Sequence, residues 1–359
     1  MPDWSKSMQQ TFECYIVDPT SWKDKAPIKT FKSATIEREN SSETLGSASI
    51  SVAEDVGECY VRNYLITNQN GIRERFPLGT FLVQTTPSSF DGRVKTISVD
   101  AYTPLLELKE NKVPTGYYVP KNTNVMDAVY MIVKDNARAP VVKPSSNVTL
   151  IEDFVANGDD TWLSFCEDLA AYAKFELDLN EDGQILFAPK QDIASLQPVT
   201  TYTDDNSSIL YPDLSMDYDL YGIPNVVEVS YSGDLGIYFS RAVNDDPDSA
   251  LSVINRGREI IHQITSPSIS GNPTQEQIDE YAEQTLRDLS SLDYTITYKH
   301  AFNNTRVNDC VRLNYEKAGL NNVKAKVISQ SIECTPGCMV TEKAIFTRKL
   351  WEVGPNELT

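Results

Sequence analysis

Apolar and polar residues alternate over much of the first 112 residues, a pattern typical of strands with one buried face. The clearest alternating runs are residues 11–17, 47–52, 77–83 and 93–100. Asp91 and Gly92 lie between the last two runs, and an Asp-Gly pair favours a tight hairpin turn. Several short strands at this spacing predict a first β-barrel domain over residues 1–112.

The pattern then changes to one expected for helices. Apolar residues recur at helical spacing after Asn124, a residue type that caps helix N-termini. A second amphipathic run begins near Thr161 and leads into two strand-like runs joined by Asp182 and Gly183. We therefore predict a helical and loop insert over residues 113–158 and an α+β hairpin domain over residues 159–200.

Strand patterns return after a polar stretch, residues 200–213, which we expect to cross between domains. The predicted strands are residues 225–231, 235–241, 259–264, 294–298, 307–313 and 325–332. One helix interrupts them, because Thr274 and Gln277 form a capping-box pair ahead of an apolar stripe. The sequence predicts a second β-barrel domain over residues 201–353, with an inserted helix at about residues 274–291.

Together these patterns predict a fold class that is mainly β with an α+β insert. Two small β-barrel-like domains are separated by a helical and α+β region. The length of 359 residues suits two to four domains. A hydrophobic content of 40%, with 9% aromatic residues, is enough for packed β-rich cores, so we expect a folded chain.

Acidic residues outnumber basic ones, 51 against 32, and the formal net charge is −19. This charge argues against an outer surface that binds nucleic acid by neutralising phosphates. The chain has no apolar run long enough to span a membrane, and the residues after Met1 are polar and of mixed charge. We expect no membrane segment, no signal peptide and synthesis in a cytoplasm.

The six cysteines are scattered, at positions 14, 59, 166, 310, 334 and 338, and no Cys-x-x-Cys motif occurs. Such scatter over a long chain does not indicate a disulfide framework. Cys334 and Cys338 bracket the Pro336-Gly337 turn, where a hairpin could place them opposite each other. Two partly buried thiols are the expectation for a reducing compartment, and a disulfide is the alternative.

The two histidines, His262 and His300, lie on strand-like segments with no zinc-binding or Ser-His-Asp motif beside them. A histidine-dependent hydrolase or zinc enzyme would need partners from distant parts of the chain. We expect structural or surface roles for both. No phosphate-binding glycine motif occurs, so nucleotide binding is not expected either.

Residues 178–183 match the opening half of a calcium-binding loop, with oxygen-bearing side chains at Asp178, Asn180 and Asp182. The twelfth position is Pro189, where that loop needs a bidentate glutamate. The flanking residues have strand patterns instead of helical ones. An ordinary hairpin turn is therefore the prediction.

Adjacent carboxylates occur at residues 159–160, 167–168, 204–205 and 245–246. A glycosidase needs two carboxylates across a cleft, one of them desolvated, and the sequence singles out no such pair. The four tryptophans could line a sugar platform, but core and interface packing is their expected use. They are Trp4, Trp22, Trp162 and Trp351. We assign no catalytic, cofactor-binding or metal-binding residue, and we expect no cofactor.

Several segments resemble the phage tail hub family, that is, baseplate hub and tail-tip proteins related to the N-terminal part of type VI secretion spikes. The segments that carry the resemblance are residues 78–83, Trp162, Asp182-Gly183, residues 219–229, 307–313 and 325–332, and the turn at residues 335–337. The similarity follows the order of the predicted elements over most of the chain. This resemblance indicates a role in assembly and not in catalysis.

The resemblance implies a homotrimeric ring at the distal end of a phage tail or a related contractile injection machine, without enzymatic activity. Two β-barrels in each of three chains would present pseudo-sixfold symmetry to a hexameric tube and threefold symmetry to a spike. The implied partners are two further copies of the chain, a tail tube or distal tail ring protein, and a spike, fibre or tape-measure protein. The implied location is the virion tail tip, after synthesis in the host bacterial cytoplasm.

The net charge fits a channel through such a ring. Three copies of a chain with a charge of −19 carry −57 in total. An acidic channel wall would repel DNA, so that DNA passes through without specific binding.

Two alternatives stay open. The first is a tail-associated cell-wall hydrolase, which would need a cleft with a strongly perturbed carboxylate or a histidine-centred triad. The second is a carbohydrate-binding adhesin, which would need exposed coplanar aromatic rings. Hub proteins are often fused to peptidase or fibre domains. Because this chain ends at Thr359, we expect any wall-degrading domain to belong to a separate protein.

Overall fold

A computed structural model describes residues 2–85, 87–90, 95–191, 193–205, 209–233, 236–265, 267 and 273–349. The predicted Asp91-Gly92 turn and Trp351 lie outside these residues. Strands account for 48% of the structure and helices for 16%, which confirms the predicted mainly β class. Within the described residues, no helix combines the length and the apolar character that a bilayer crossing requires.

The strands of the N-terminal part are β1 (Gln9–Val17), β2 (Asp24–Pro27), β3 (Phe31–Glu39), β4 (Gly46–Val52), β5 (Tyr60–Gln69), β6 (Ile72–Thr85), β7 (Ser88–Phe90) and β8 (Lys95–Tyr102). The middle part contains α1 (Leu106–Glu110), β9 (Tyr118–Val119), α2 (Val125–Asn136), β10 (Phe154–Val155), α3 (Trp162–Tyr172), β11 (Phe175–Leu179), β12 (Ile185–Pro189) and β13 (Pro198–Thr203).

The C-terminal part contains β14 (Leu210–Tyr218), β15 (Val226–Gly233), β16 (Gly236–Val243), α4 (Val253–Arg256), β17 (Ile261–Ile264), α5 (Gln275–Leu289), β18 (Ser291–Ala301), β19 (Cys310–Tyr315), β20 (Leu320–Glu333) and β21 (Met339–Lys349). The chain divides into two compact units. Unit 1 comprises Met1–Leu214 and Thr297–Ala344, and unit 2 comprises Ser215–Ile296 and Ile345–Thr359. The division into four domains stays a prediction.

A large sheet dominates unit 1. Its strands run in the order β21-β20-β3-β4-β8-β6-β5-β1-β2, with β19 beside β20, β13 beside β19 and β7 beside β8. Strands from both ends of the sequence meet where β20 pairs with β3 in antiparallel register. Among the described residues no closed barrel is detected.

Two large hydrophobic cores lie in unit 1, beside a smaller cluster around Tyr60 and Leu82. One lies against the large sheet and joins N-terminal residues such as Ile36 and Leu65 to Ile332 and Val340 near the C-terminus. The other packs α1, α2 and α3 against the β11–β12 hairpin, with Phe165 and Leu169 fully buried. Side chains about 300 residues apart in the sequence, such as Ile36 and Ile332, therefore share one core.

Local capping chemistry fixes the starts of the helices as predicted. The Asn124 side chain accepts a hydrogen bond from the backbone N–H of Asp127 at the start of α2. The start of α3 is capped by Thr161, in a capping box with Ser164. These caps satisfy backbone N–H groups that have no partner within the helix.

Unit 2 has a small sheet in the order β16-β15-β17. Helix α5 covers one face and buries Ile278, Ala282 and Leu286 against the sheet. Its N-cap Thr274 and its capping-box partner Gln277 are as predicted. On the outward face, Ile237 and Phe239 remain exposed.

The structure corrects two predicted segments. Residues 200–213 are not a plain crossing segment, because β13 pairs in parallel with β19 and buries Tyr202 in unit 1. The predicted strand at residues 307–313 begins only at Cys310. Asn308 has a φ of 73°, a left-handed conformation that cannot continue a strand.

Candidate functional site

The tip of the β11–β12 hairpin is inserted into a socket formed by the N-terminal strands of unit 1. The carbonyl oxygen of Asp182 accepts hydrogen bonds from Trp22 Nε1 at 2.7 Å and from Arg62 Nη2 at 2.8 Å. Thr80 Oγ1 donates to the carbonyl oxygen of Glu181 at 3.2 Å. Arg62 is almost completely buried, so these contacts satisfy a guanidinium that water does not reach.

The socket requires a glycine at the tip. Gly183 has a φ of +75°, and a Cβ placed on it would lie 2.7 Å from Cβ of Thr80. Both the backbone conformation and the close approach exclude a side chain there. This local reason explains the Asp-Gly pair that the sequence shows at the turn.

The Glu181 carboxylate joins three parts of unit 1. Its Oε1 lies 2.8 Å from Arg306 Nε and 3.2 Å from Arg38 Nη1. Arg38 belongs to β3, whereas Arg306 precedes β19. Burial raises the pKa of Glu181, but the two arginines outweigh burial and bring that pKa below its usual value. We call Arg38, Glu181 and Arg306 the polar junction.

A second buried network is centred on Glu342 of β21, whose side chain is fully buried. Its carboxylate accepts hydrogen bonds from Tyr298 Oη at 2.6 Å and from Gln330 Nε2 at 2.5 Å. His300 Nε2 lies 3.3 Å from Oε1. Burial opposes ionisation, yet His300 and these donors lower the pKa of Glu342 below its usual value.

Gln330 connects the two networks. Its Oε1 accepts a hydrogen bond of 3.1 Å from Arg38 Nη1, while its Nε2 donates to Glu342. Buried charges therefore have partners throughout this part of unit 1, as the cost of desolvation requires. The arrangement holds strands and the hairpin together.

His300 has a structural role. Its Nδ1 lies 2.8 Å from the carbonyl oxygen of Ala301, and its Nε2 faces Glu342 and the hydroxyl of Tyr202. No serine hydroxyl lies among these contacts. His262 is exposed on β17 in unit 2. The structural and surface roles expected from the sequence fit these positions.

The calcium-like loop is a hairpin turn. Asn180 Oδ1 accepts from the backbone N–H of Gln184, and Asp178 Oδ1 accepts from that of Leu179. Pro189 ends β12, which pairs with β11 in antiparallel register. Within the part of the chain that the structure describes, no group of three or more His, Cys, Asp or Glu side chains is arranged to hold a metal ion.

One adjacent carboxylate pair has a perturbed environment. Burial raises the pKa of Glu167 on α3 to about 7, and the nearby carboxylates of Asp168 and Glu43 act in the same direction. Asp160 instead accepts a hydrogen bond from the backbone N–H of Asn157 in the loop before α3. Glu167 lies beside an open groove with a volume of about 570 Å³.

The described tryptophans pack against other side chains. Trp4 contacts Phe76 and Phe302 edge to face. Trp162 contacts Tyr117 in the same way, with ring centroids 4.9 Å apart. Trp22 lines the socket and donates a hydrogen bond to the hairpin tip. The expected packing role is therefore confirmed for these three rings.

All six cysteines carry free thiols. Cys334 and Cys338 lie on either side of the turn at residues 335–337, and both are buried. Burial raises the pKa of Cys334 to about 12, so its thiolate is scarce near neutral pH. The structure has the thiol form that the sequence favoured.

Comparisons with known proteins identify the fold. The scan against protein-family models and the search of curated proteins found no match. Among solved structures, the tail protein from Neisseria meningitidis MC58 is similar with a TM-score of 0.63 and 13% identity, over 97% of this chain and 99% of that one. The chain has the fold of phage tail proteins.

Two further structures share this fold. The 43 kDa tail protein of prophage MuSo2 from Shewanella oneidensis matches with a TM-score of 0.60 and 12% identity, over 98% of this chain and all of that one. A chain of the Francisella PdpA–VgrG complex matches with a TM-score of 0.52 and 10% identity. That match covers 98% of this chain and 59% of the Francisella chain. The resemblance to tail hub proteins read from the sequence is thus confirmed at the level of fold.

The sequence did not reveal the two polar networks. A signal existed for Glu342, because alternation along β21 places it on the same face as Val340 and Ala344, which are buried. A charged residue at an inward position indicates a buried partner. Nothing local identifies that partner as His300 or Gln330.

Proposed function

We propose that this protein is the structural hub of a phage or phage-like tail tip, in which three copies form a ring. The observation that supports this function best is the match along almost the whole chain to two tail proteins of similar length. The ring would adapt the sixfold tail tube to a threefold spike or fibre and leave a channel for DNA.

The construction of unit 1 suits a structural component with a fixed shape. The polar junction and the Glu342 network join strands that are distant in sequence, and the hairpin tip is inserted between them. Buried ionic groups of this kind fix a single arrangement of the strands, because any other arrangement leaves a charge unpaired. A ring component needs such a fixed shape to present the same surfaces in every copy.

The proposed partners are two further copies of the chain, a tail tube or distal tail ring protein, and a spike, fibre or tape-measure protein. The proposed location is the virion tail tip. Three copies with a charge of −19 each favour passage of DNA without specific binding. The role does not include catalysis.

One observation favours a second candidate, a tail-associated cell-wall hydrolase. Glu167 has a raised pKa, as a general acid does. Its neighbour Asp168, however, is the next residue on α3, so the two side chains point about 100° apart around the helix and do not face each other across a cleft. Release of fragments from purified cell walls by the wild-type chain, and its loss in Glu167→Gln, would establish the hydrolase.

Copy number in an assembly with a tail partner tests the hub. We expect native mass spectrometry of the chain purified together with its tail tube or distal ring protein to give three copies of the chain. One or two copies in that assembly would contradict the proposal. A monomer of the isolated chain is compatible with either outcome, because ring formation can require the neighbouring ring.

A further inference from the structure

An open groove in unit 1 lies between the C-terminal half of α3 and strand β11. Its volume of about 570 Å³ falls in the range of sites that hold a side chain or a small ligand. The loop between β3 and β4 and the residue Asn308 complete its walls. The lining residues are Asn40, Leu45, Glu167, Ala171, Lys174, Phe175, Glu176, Leu177, Lys190 and Asn308.

The floor of the groove is apolar. Leu45, Phe175 and Leu177 line it, and Leu177 is also part of the core beneath. Ala171 contributes a small side chain from α3, so the helix does not close the groove. An apolar floor with charged walls fits a side chain that has both an aliphatic part and a charged end.

The negative wall contains a carboxylate without a counter-ion. Among the described residues, Glu167 makes no hydrogen bond and no ion pair, although it is half-buried. The charges that act on its pKa are those of Asp168 and Glu43, which are also negative, and Glu43 is itself paired with Lys109. The other acidic residue of the groove, Glu176, is already paired with Lys326 at 3.1 Å.

The groove also contains two basic residues, Lys174 after the end of α3 and Lys190 after the end of β12. Lys190 donates its backbone N–H to the carbonyl oxygen of Lys174 at 2.8 Å, so the two lysines are neighbours at the open end of the hairpin. Helix α3 ends at Tyr172, five residues after Glu167, and Lys174 lies beyond that end with a φ of 60°. More than one helical turn of α3 therefore lies between Glu167 and the helix end that precedes Lys174. Neither lysine is among the groups that shift the pKa of Glu167.

We propose that this groove is a docking site for a segment of a neighbouring protein, which places an arginine side chain against Glu167 and an apolar side chain on the floor. Charge complementarity selects this occupant, because a half-buried carboxylate beside two like charges gains most from a cation. Arginine fits better than lysine, since its planar guanidinium can donate two parallel hydrogen bonds to a carboxylate and its stem can cover Phe175.

The proposal rests on the proposed function in one respect only, namely that the occupant is a protein of the tail. An ion pair with an arginine of the partner would stabilise the Glu167 carboxylate, which has no counter-ion in the isolated chain. The ionised Glu167 side chain would then destabilise the isolated chain but not the assembled one. Such a group promotes assembly, because only the assembled state satisfies it.

Binding of blocked dipeptides to the full chain tests the groove. The probe is acetyl-Leu-Arg-amide. Acetyl-Leu-citrulline-amide is its neutral control of equal shape, and acetyl-Leu-Glu-amide is its acidic control. We expect saturable NMR shifts at the methyl groups of Leu45 and Leu177 with the arginine probe alone. Glu167→Gln should weaken its binding about tenfold or more, because a charge-assisted pair is lost.

Matched variants distinguish the acidic from the basic residues of the groove. Lys190→Gln removes a charge from the same groove and should leave binding of the arginine probe unchanged or slightly tighter. Circular dichroism of Glu167→Gln checks that this variant is folded before the titration. An unfolded variant would be replaced by Glu167→Asp, which keeps the charge but shortens the side chain and should also weaken binding.

Three results would overturn the proposal: no saturable shift at the groove, equal affinity in Glu167→Gln, or preferential binding of the acidic probe. The last would assign the site to Lys174 and Lys190. None of these results bears on the number of copies in the ring. Failure of the groove and failure of the hub can therefore be told apart.

Discussion

Trp22 Nε1 donates a hydrogen bond of 2.7 Å to the carbonyl oxygen of Asp182, which lies 160 residues further along the chain. The acceptor belongs to a turn, and the donor to the loop between β1 and β2. This contact and that of Arg62 fasten the α+β hairpin to the large sheet. The hairpin tip is thus held in its socket by hydrogen bonds to its backbone carbonyl oxygens.

Gly183→Ala tests how closely the hairpin tip packs in its socket. A methyl group there meets Thr80 at 2.7 Å, and the backbone φ of +75° is unfavourable for alanine. We expect the free energy of unfolding of unit 1 to fall by roughly 2–4 kcal/mol, the sum of overpacking and backbone strain. Urea denaturation followed by tryptophan fluorescence measures it.

Gly116→Ala is the control for backbone strain. Gly116 also has a positive φ, of +81°, but no atom lies within 4 Å of its added Cβ. We expect it to cost only the strain, about 1–2 kcal/mol. If the two variants lost the same free energy, the hairpin tip would not be inserted as tightly as the structure shows.

Glu342 should be sensitive to truncation. Glu342→Ala leaves His300 and the hydroxyl of Tyr298 without their carboxylate in a fully buried site. We expect a loss of about 3–5 kcal/mol in the free energy of unfolding. Glu342→Gln retains an oxygen acceptor for Tyr298 and should lose less, about 1–3 kcal/mol. A wild-type denaturation curve for Glu342→Ala would show that the network contributes nothing.

Glu167 should make the stability of the folded protein decrease as the pH rises, whereas a paired carboxylate makes it increase. Its folded-state pKa of about 7 lies above the unfolded value, so the folded state binds the proton more tightly. The contribution of protonated Glu167 to the stability of the folded state is complete below the unfolded-state pKa, near 4.3. It is lost as the pH rises through the folded-state pKa of about 7. We therefore expect Glu167→Gln to be more stable than the wild type at pH 8, with little difference at pH 4.

Thermal unfolding from pH 4 to pH 8 gives this comparison. Glu152→Gln is the matched control, because Glu152 is exposed and its removal should not change the profile. Parallel profiles for wild type and Glu167→Gln would mean that the Glu167 carboxylate is not held in a desolvated position.

The thiols should differ in accessibility. Cys59 is half-buried, whereas the other five cysteines are buried. We expect a thiol reagent at pH 8 to modify about one cysteine in the native protein and all six after denaturation without reductant. Cys59→Ser should abolish the native reaction. Four reactive thiols after denaturation would instead indicate a disulfide, with Cys334 and Cys338 as the first pair to examine.

The sequence predicted those elements whose causes are local. Asn124 and Thr274 cap helices through residues three positions away, and Asp182-Gly183 closes a hairpin whose strands adjoin it. Such signals lie within a few residues, so they can be read without knowledge of the fold.

The remaining features depend on contacts between distant residues. Residues 200–213 are polar, and only the pairing of β13 with β19 buries Tyr202 there. The pairing of β20 with β3 joins segments about 300 residues apart, and alternation alone does not reveal a strand's partner. The same holds for the polar junction, whose three charged residues come from three separate segments.

The central claim is that three copies form a ring at the tip of a tail. Cryo-electron microscopy of intact tails that carry a tagged form of this chain tests it most directly. The account predicts one ring of three copies at the distal end, between the tail tube and the spike or fibre. A different number of copies in that ring, or tagged chains distributed along the tail shaft, would contradict it.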